Sequence, residues 1–532
     1  MQAAQRLPAG TLMQRAGMAA ARVIADRLRA PPFTREVSDA ATSAHASART
    51  GGPTSTPANT RPGVSTRSRI VVLAGPGSNG GDGRITAQAL RELGFTVVVY
   101  GEEDLARLVE RERDRERPVA IVDALFGIGL TRPLVGSWAQ AVQWVQGHDR
   151  ATWKVALDVP SGLNADTGAT IGEHAMAVDL TVTFLANKAG LHTGRGRDLA
   201  GEVVVEDLGA PSLGLSLPAL GRATLLELAQ CQAIAQGLRR GHDCHKGHFG
   251  TAIVIGGARG MSGAAMLAAR AALHAGAGRV VVGFPERVAA PFDAQFPELM
   301  LQDLSSALDR PERGAIAVGP GLGVGSEAAS ALGAVLACSI ERASALVLDA
   351  DALTLVAHHP ELKQALLARA RAHPNQVPIL TPHPLEAARL LGALPASQEA
   401  DADAQPWSAA KVQGDRVGAA LMLARGLHCV VVLKGAGTVI ASPDEQVWIA
   451  PVGNAALAMG GTGDLLTGLL CGLLAQHRRP GEPTLERTLL AVWCHGCSAS
   501  AWTAQGHEAM GATSAELLPL MRAQLHALMA LD

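Results

Sequence analysis

Short runs of apolar, mostly β-branched residues recur along the chain at 70–74, 95–100, 119–124, 155–159, 179–184 and 203–205. A second series follows at 252–255, 280–283, 315–318, 346–348, 378–380 and 430–433. Each run has strand length and lacks alternation, as in a parallel sheet buried on both faces. Apolar stretches of helical length lie between them, at 84–93, 265–275 and 465–474 among others. Strands alternating with helices predict two parallel α/β sheets with covered faces. Ahead of the first series, Leu12, Met13, Ala16, Ala20 and Val23 recur near a spacing of 3.6, which predicts one amphipathic helix over 12–28. Three stretches break the pattern. Residues 31–68 are rich in Pro, Ser, Thr, Ala and Gly and are expected to be a disordered or loosely held insert. Residues 111–117 alternate in sign and read as a solvated surface. Residues 401–410 read as a surface loop. The crossing between the halves falls in 222–240, with domains expected at 1–235 and 236–532.

Composition narrows the function classes. The 532 residues are 48% hydrophobic and only 18% charged, enough apolar content for large cores. A net charge of −2 and 3% aromatics argue against nucleic acid or an anionic membrane as partner. Seven scattered cysteines imply no disulfide framework and fit a reducing cytoplasm. Cys494-His495-Gly496-Cys497 matches CxxC, but it sits in an apolar helical stretch with no second pair, so core packing is expected. No apolar run reaches the roughly 18 residues needed to span a bilayer.

The strand at 430–433 ends in Lys434-Gly435-Ala436-Gly437-Thr438. An ammonium and a small-residue turn at a strand end suit nucleotide phosphates. After a second pair of strands comes Gly460-Gly461-Thr462-Gly463-Asp464, opening a helix whose free N–H groups and positive dipole end favour an anion. Asp464 is either an N-cap or a reactive carboxylate. Neither turn has the GxxxxGK[ST] spacing. The pair resembles the nucleotide site of ribokinase-like small-molecule kinases, in which the glycine turn is an anion hole and its Asp the catalytic base. In the first half, four strands end in polar or glycine-rich loops on one sheet edge, where open α/β sheets bind ligands. Asn79, Asp123 and Ser161 there offer hard oxygen ligands with a single carboxylate, which suits an undemanding cation and not zinc. The competing reading is that Asp123 and Asp158 only cap turns.

GPGSNGGDG (75–83), VDALFGIGLTRP (122–133), LDVPSGLNADTG (157–168) and FLANKAGL (184–191) resemble, in order, the epimerase domain of NAD(P)H-hydrate repair enzymes. The segment 12–17 resembles that family's opening helix, which sets aside a transit peptide. HKGHFG, GPGLG, LDADAL, TPHPLEAARL, KGAGT and GNAALAMGGTGD resemble the dehydratase domain of the same system across the chain after residue 236. The resemblance implies a Rossmann-like α/β/α domain followed by a ribokinase-like α/β domain. It implies that Ser78, Asn79, Gly80, Gly81, Asp82, Gly127, Ile128, Gly129, Leu130, Thr131, Arg132, Pro133 and Asp158 contact the hydrated nucleotide, with Asp158 catalytic. Asn79, Asp123 and Ser161 would hold K+. In the second domain Ala258, Gly323, His383 and Asp464 would contact substrate, with Asp464 catalytic. Lys434, Gly435, Ala436, Gly437, Thr438 and Gly463 would hold ADP, the donor in bacterial members, with Mg2+. His383 has a second reading, in which its imidazole only braces the TPHP turn. Ser78 replaces a usual Asn, and Met459 a usual Thr or Ser.

The implied enzyme is bifunctional: an isomerase equilibrating the R and S forms of NADHX and NADPHX, and a lyase dehydrating the S form at the expense of ADP. A cytoplasmic homo-oligomer without nucleic-acid or membrane partners is expected. Two rival readings stand beside it: a ribokinase-like kinase of a vitamin precursor with an accessory Rossmann-like domain, and a first half that binds without turnover.

Overall fold

The computed structural model describes residues 10–30, 68–210, 223–286, 292–310, 314–394, 406–476 and 483–530. The stretch 31–67 of the expected insert and 401–405 of the expected loop lie outside them. The chain divides into two compact units near 221/222, each built around its own sheet.

In the first unit β1 (Arg69–Ala74), β2 (Thr96–Tyr100), β3 (Ala120–Ala124), β4 (Trp153–Leu157), β5 (Leu180–Phe184) and β6 (Glu202–Glu206) form one sheet in the order β2-β1-β3-β4-β5-β6. All five pairings are parallel. The strands at its centre are buried on both faces, which is why they read as unbroken apolar runs. Helix Thr11–Arg29 packs on helix Ser78–Glu92, burying Ala16, Ala20, Ala21 and Ile24 on one face of the sheet. The order reverses between β1 and β3, so the loops after these strands flank the crevice where such sheets take ligands.

Two expectations change here. The helix after β1 starts at Ser78, not 84, so the glycine motif is largely helical. A Cβ on Gly80 would stand 1.8 Å from the Gly75 carbonyl oxygen, and one on Gly81 2.6 Å from Met13 Sδ. These glycines therefore allow close packing of the helix start against its strand and against the first helix. The charged stretch 111–117 is not wholly solvated either. Glu112 is buried, accepting hydrogen bonds from Tyr100 Oη at 2.5 Å and Arg69 Nη1 at 2.8 Å.

The second unit has ten strands: β7 (Thr224–Leu225), β8 (Thr251–Ile255), β9 (Arg279–Phe284), β10 (Met300–Asp303), β11 (Gly314–Val318), β12 (Ala345–Leu348), β13 (Ile379–Leu380), β14 (Val430–Leu433), β15 (Val439–Ala441) and β16 (Val447–Ile449). Their order is β10-β9-β8-β11-β12-β13-β14-β15-β16-β7, parallel except where β15 pairs with β14 and β16. β7 adds to β16, and helix Leu228–Gln236 packs on the two C-terminal helices. Residues 224–236 thus belong to the second unit, ahead of the expected 235/236 boundary. β7 and β10, two and four residues long, have no counterpart among the apolar runs, and β15 and β16 are the pair of strands expected between the two turns.

Helix Thr462–Ala475 is buried along most of its length and lies against helix Ser262–His274. A Cβ on Gly468 would stand 1.9 Å from the Ala268 carbonyl oxygen, and one on Gly472 2.5 Å from that of Ala272. Bare glycines let the two backbones approach this closely. Cys494 and Cys497 are buried in helix Leu485–Ala504, as core packing requires. Among the described residues no cysteine forms a disulfide, and no helix is long and apolar enough to cross a membrane.

Candidate functional site

Three adjacent parallel strands of the second sheet, β12, β13 and β14, end in Asp349, Thr381 and Lys434. Their register sets the three side chains at one edge. Lys434 Nζ lies 2.7 Å from Asp349 Oδ1, and Thr381 Oγ1 donates to the same oxygen at 2.7 Å. Thr467 Oγ1, from the helix that begins at Thr462, donates to Asp349 Oδ2 at 2.7 Å. Asp349 is buried, which alone would keep it protonated; Lys434 and the two hydroxyls instead hold its pKa below the ordinary value. Burial alone would strip Lys434, but Asp349 and Glu386 hold its proton on more tightly than usual.

The two glycine turns share this cleft. A Cβ on Gly463 would lie 3.4 Å from Lys434 Nζ and 3.9 Å from Asp349 Oδ2. The helix is capped by Gly461, in the left-handed region at φ 92°, so Asp464 is the third helical residue and not the N-cap. Its carboxyl is pushed up to about 7, first by burial and then by Asp349. A carboxylate with that value at a helix start is matched to taking a proton near neutral pH. Three contacts fix the turn: Ser514 Oγ donates to the Gly460 carbonyl at 3.1 Å, Thr462 Oγ1 to the Met459 carbonyl at 3.1 Å, and His495 Nε2 meets the Thr462 carbonyl at 2.9 Å. Burial brings His495 down to about 4, so the ring is neutral and Nε2 carries the proton. The Met459 side chain packs against the apolar core.

On the KGAGT side Gly435 has φ 140°, and a Cβ there would stand 2.9 Å from Arg416 Nη1. Buried Arg416 donates to the carbonyls of Leu433 at 3.0 Å and Lys434 at 3.3 Å, bracing the turn from behind. Thr438 Oγ1 closes it on the Gly435 carbonyl at 3.1 Å. Across the cleft, Ala258 N donates to the Gly321 carbonyl at 2.7 Å and Gly323 N to Asp351 Oδ2 at 2.8 Å. A Cβ on Gly323 would be 3.9 Å from that of Ala258, so these two expected contacts are neighbours. His383 does brace its turn. Its Nδ1 accepts from Leu385 N at 3.1 Å and Glu386 N at 3.4 Å, while Glu386 Oε2 accepts from His383 N at 2.8 Å. The ring remains half-buried with Nε2 3.3 Å from Glu386 Oε1. Burial pushes Glu386 up to about 7.

The first unit gathers its own set. Asp158, at φ 64°, pairs with Lys188 Nζ at 2.8 Å and accepts from Ile128 N at 3.2 Å. A Cβ on Gly127 would stand 2.6 Å from Asp158 Oδ2 and 3.5 Å from Asn79 Cβ, so Asn79, Gly127 and Asp158 meet. Ser161 Oγ donates to Asp123 Oδ1 at 2.7 Å and Ser161 N to Oδ2 at 2.8 Å, while Phe126 N donates to Ser161 Oγ at 3.0 Å. Leu125 N also donates to Asp123, the turn-capping contact expected of an Asp there. Both polar atoms of the buried Asn79 side chain, and Asp82 Oδ1, have no hydrogen-bond partner. Burial and then Asp158 push Asp82 up to about 7; burial pushes Asp123 up to about 6. Of the loop 127–133, the Ile128 side chain is exposed, Leu130 packs against the core, and Pro133 backs Gly172.

Sequence reasoning missed Asp349, Arg416 and Lys188 as parts of these sites. Asp349 and Lys188 stood inside recognised motifs, LDADAL and FLANKAGL, which was signal enough. Arg416 had none, being one arginine in a helix separated from its turn by β14.

Two family profiles match the chain: one described as YjeF-related protein N-terminus, over residues 9–117 and 102–190, and one described as NAD(P)H-hydrate dehydratase, over 252–518. A bifunctional NAD(P)H-hydrate repair enzyme of Leishmania major is 34% identical over 493 residues, covering 84% of each chain. One from Escherichia coli K12 is 34% identical over 452 residues, covering 81% of this chain and 79% of its own. Among solved structures, an ADP/ATP-dependent NAD(P)H-hydrate dehydratase from Bacillus subtilis, co-crystallised with ATP and Mg2+, aligns with 57% of this chain and 99% of its own at 32% identity and a TM-score of 0.46. With relatives this similar over more than two thirds of its length, the chain belongs to the family of bifunctional NAD(P)H-hydrate repair enzymes.

Proposed function

We propose that the chain repairs hydrated nicotinamide coenzymes, with the second unit dehydrating the S form of NADHX and NADPHX and the first equilibrating S with R. The observation that carries this reading is the cleft in which Lys434 lies against the first turn of the Asp464 helix. Hydroxide is a poor leaving group. Asp464 takes the proton of the substrate hydroxyl as its oxygen attacks the terminal phosphorus of ADP, and AMP departs. The phosphate ester then breaks its C–O bond, the neighbouring ring carbon loses a proton, and the ring double bond returns. The products are NADH or NADPH, AMP and phosphate. Lys434 and the free N–H groups of the helix start face the phosphoryl charge, while Ala258, Gly323 and His383 line the substrate side.

Mg2+ would enter with the nucleotide and offset its phosphate charge. The carboxylates of Asp351 and Glu386 supply oxygen donors of the kind it takes. In the first unit the unpartnered Asn79 Oδ1, with the Asp123 and Ser161 oxygens, fits K+; each carboxylate oxygen retains acceptor capacity after its present bonds. That ion would fix the loop carrying Gly127 and leave Asp158, held by Lys188, facing the substrate carbon. Seven cysteines without a disulfide support placing the protein in the cytoplasm.

The test is full-length protein incubated with mixed-epimer hydrated NADH and ADP while NADH absorbance is followed. Complete conversion of both epimers is expected. Recovery of the S portion alone would make the first unit a binding module, and ADP consumption without NADH would make the second a kinase of another alcohol.

A further inference from the structure

The second unit has a cleft of about 680 Å³ that the proposed reaction does not use. Gly276 and Gln476 line it, so it sits beyond the C-terminal ends of helices Ser262–His274 and Thr462–Ala475, whose other ends carry the reaction turns. Leu273, Phe296 and Leu525 give it an apolar wall, and three guanidinium groups face one carboxylate, Glu298. Helix C-terminal ends ordinarily repel anions. Here their carbonyls are already occupied: Gln476 Nε2 donates to Ala275 and Gly472 at 2.9 Å each, and Arg240 donates to the Gly276 carbonyl. Arg239 Nε is engaged at 2.7 Å by the Met529 carbonyl.

Arg522 is different. It has no hydrogen-bond or ion-pair partner among the described residues, and it stands one turn before His526 on helix Ser514–Ala530. His274, which lines the same cleft, stands within reach of the Arg522 charge, and its Nδ1 is turned into the protein without a partner. Phe296 stands edge-on to the His274 ring at 5.6 Å, with Arg270 over its own ring at 5.1 Å.

We propose that this cleft binds an amphipathic organic anion: a small molecule with an aromatic or apolar body and one phosphate, sulfonate or carboxylate group. The anion pairs with Arg522 and His526, and the body lies against Leu273, Phe296 and Leu525. The volume is within the range of small-molecule sites, about 300–1,000 Å³. The probe is 8-anilinonaphthalene-1-sulfonate, titrated by fluorescence into the full chain and soaked into its crystals. Sulfonate density against Arg522 is expected, with affinity at least about tenfold weaker in Arg522→Ala/His526→Ala and within about threefold in Arg522→Lys. Both variants change exposed positions, so unfolding temperatures should match the parent. Asp464→Asn should bind the probe as the parent does, which separates this cleft from the reaction site. Unchanged affinity in the double variant overturns the proposal. So does probe density confined to the reaction cleft, or a cleft filled by the chain's own C-terminus or a neighbouring copy.

Discussion

Asp464→Asn isolates the proposed base with little change in shape. The parent carboxyl titrates at about 7 because burial and Asp349 disfavour its charge. About nine-tenths of it is ionised at pH 8, half at pH 7 and a tenth at pH 6, so kcat/KM for dehydration should fall about tenfold from pH 8 to pH 6. An amide cannot take the hydroxyl proton, and the loss at pH 8 should be at least about a thousandfold, roughly 4 kcal/mol of barrier. Glu386 also titrates at about 7, so the acid limb needs assignment. Glu386→Gln should keep the limb, whereas residual turnover in Asp464→Asn should be flat over pH 6–8. The same substitution should stabilise the empty protein. Between the unfolded carboxyl's value, about 4, and about 7, the native state holds a proton that the unfolded state has released, so stability falls as pH rises through that window. The ceiling is about 4 kcal/mol, brought to about 1–2 kcal/mol by partial solvent contact. Asp464→Asn should therefore melt higher than the parent at pH 8, by a margin that narrows as pH falls towards 4. Stopped assays with hydrated NADH and thermal scans at matched pH measure both effects. Asp464→Asn turnover above about a tenth of the parent, or a limb that survives in it, would refute the assignment.

Asp158→Ala should leave dehydration of the S form within about twofold and slow consumption of the R form at least about a hundredfold, read by resolving the epimers; loss of both together would break the division of labour. Lys434→Met strands the buried Asp349 carboxylate and should cost about 3–5 kcal/mol in denaturant unfolding of the second unit. Because the native pKa of Asp349 is depressed, the parent's advantage is present above about pH 4 and should shrink as pH falls through the native value. A constant difference down to acid pH would exclude the charge as its cause. Gly468→Ala drives a methyl to within 1.9 Å of the Ala268 carbonyl oxygen and should destabilise the second unit by about 1–3 kcal/mol. An unchanged urea midpoint would show that the helix pair can separate freely.

Much of this was legible because covered parallel sheets write themselves as unbroken apolar runs. Val430–Leu433 has the limits its pattern predicts, and the neighbouring runs differ by a residue or two. The site residues were legible where strands end, since the sheet edge gathers them whatever the intervening chain does. What failed was local. Glycines 80 and 81 read as part of a ligand-binding loop, and composition does not reveal the packing role the structure adds, a helix start lying against the Gly75 carbonyl and Met13. Asp464 could be an N-cap or an inner helical residue on spacing alone, and the φ of Gly461 decides it. The boundary slipped because β7 is two residues long and owes its existence to β16, more than two hundred residues later. Glu112 shows the limit of charge patterning: a single buried pair with Arg69 removes it from an otherwise solvated run.

The cleft poses an electrostatic difficulty that its own geometry answers. Asp349, Glu386 and Asp464 surround a single ammonium, and a nucleotide brings more negative charge. Lys434 is already held by Asp349 at 2.7 Å, so it cannot neutralise the phosphates alone. With Glu386 and Asp464 both at about 7, each carries roughly half a charge at neutral pH, which lessens the repulsion. The helix start at Thr462 adds its N–H groups. On the proposed reading an arriving phosphate would raise the pKa of Asp464 further, and a cation carried with it would offset that rise. The strength of the proposed base would then depend on how well that added charge is offset. Asp349 keeps Lys434 charged, and that makes this carboxylate, itself engaged by Lys434, Thr381 and Thr467, the group on which the cleft's charge balance rests.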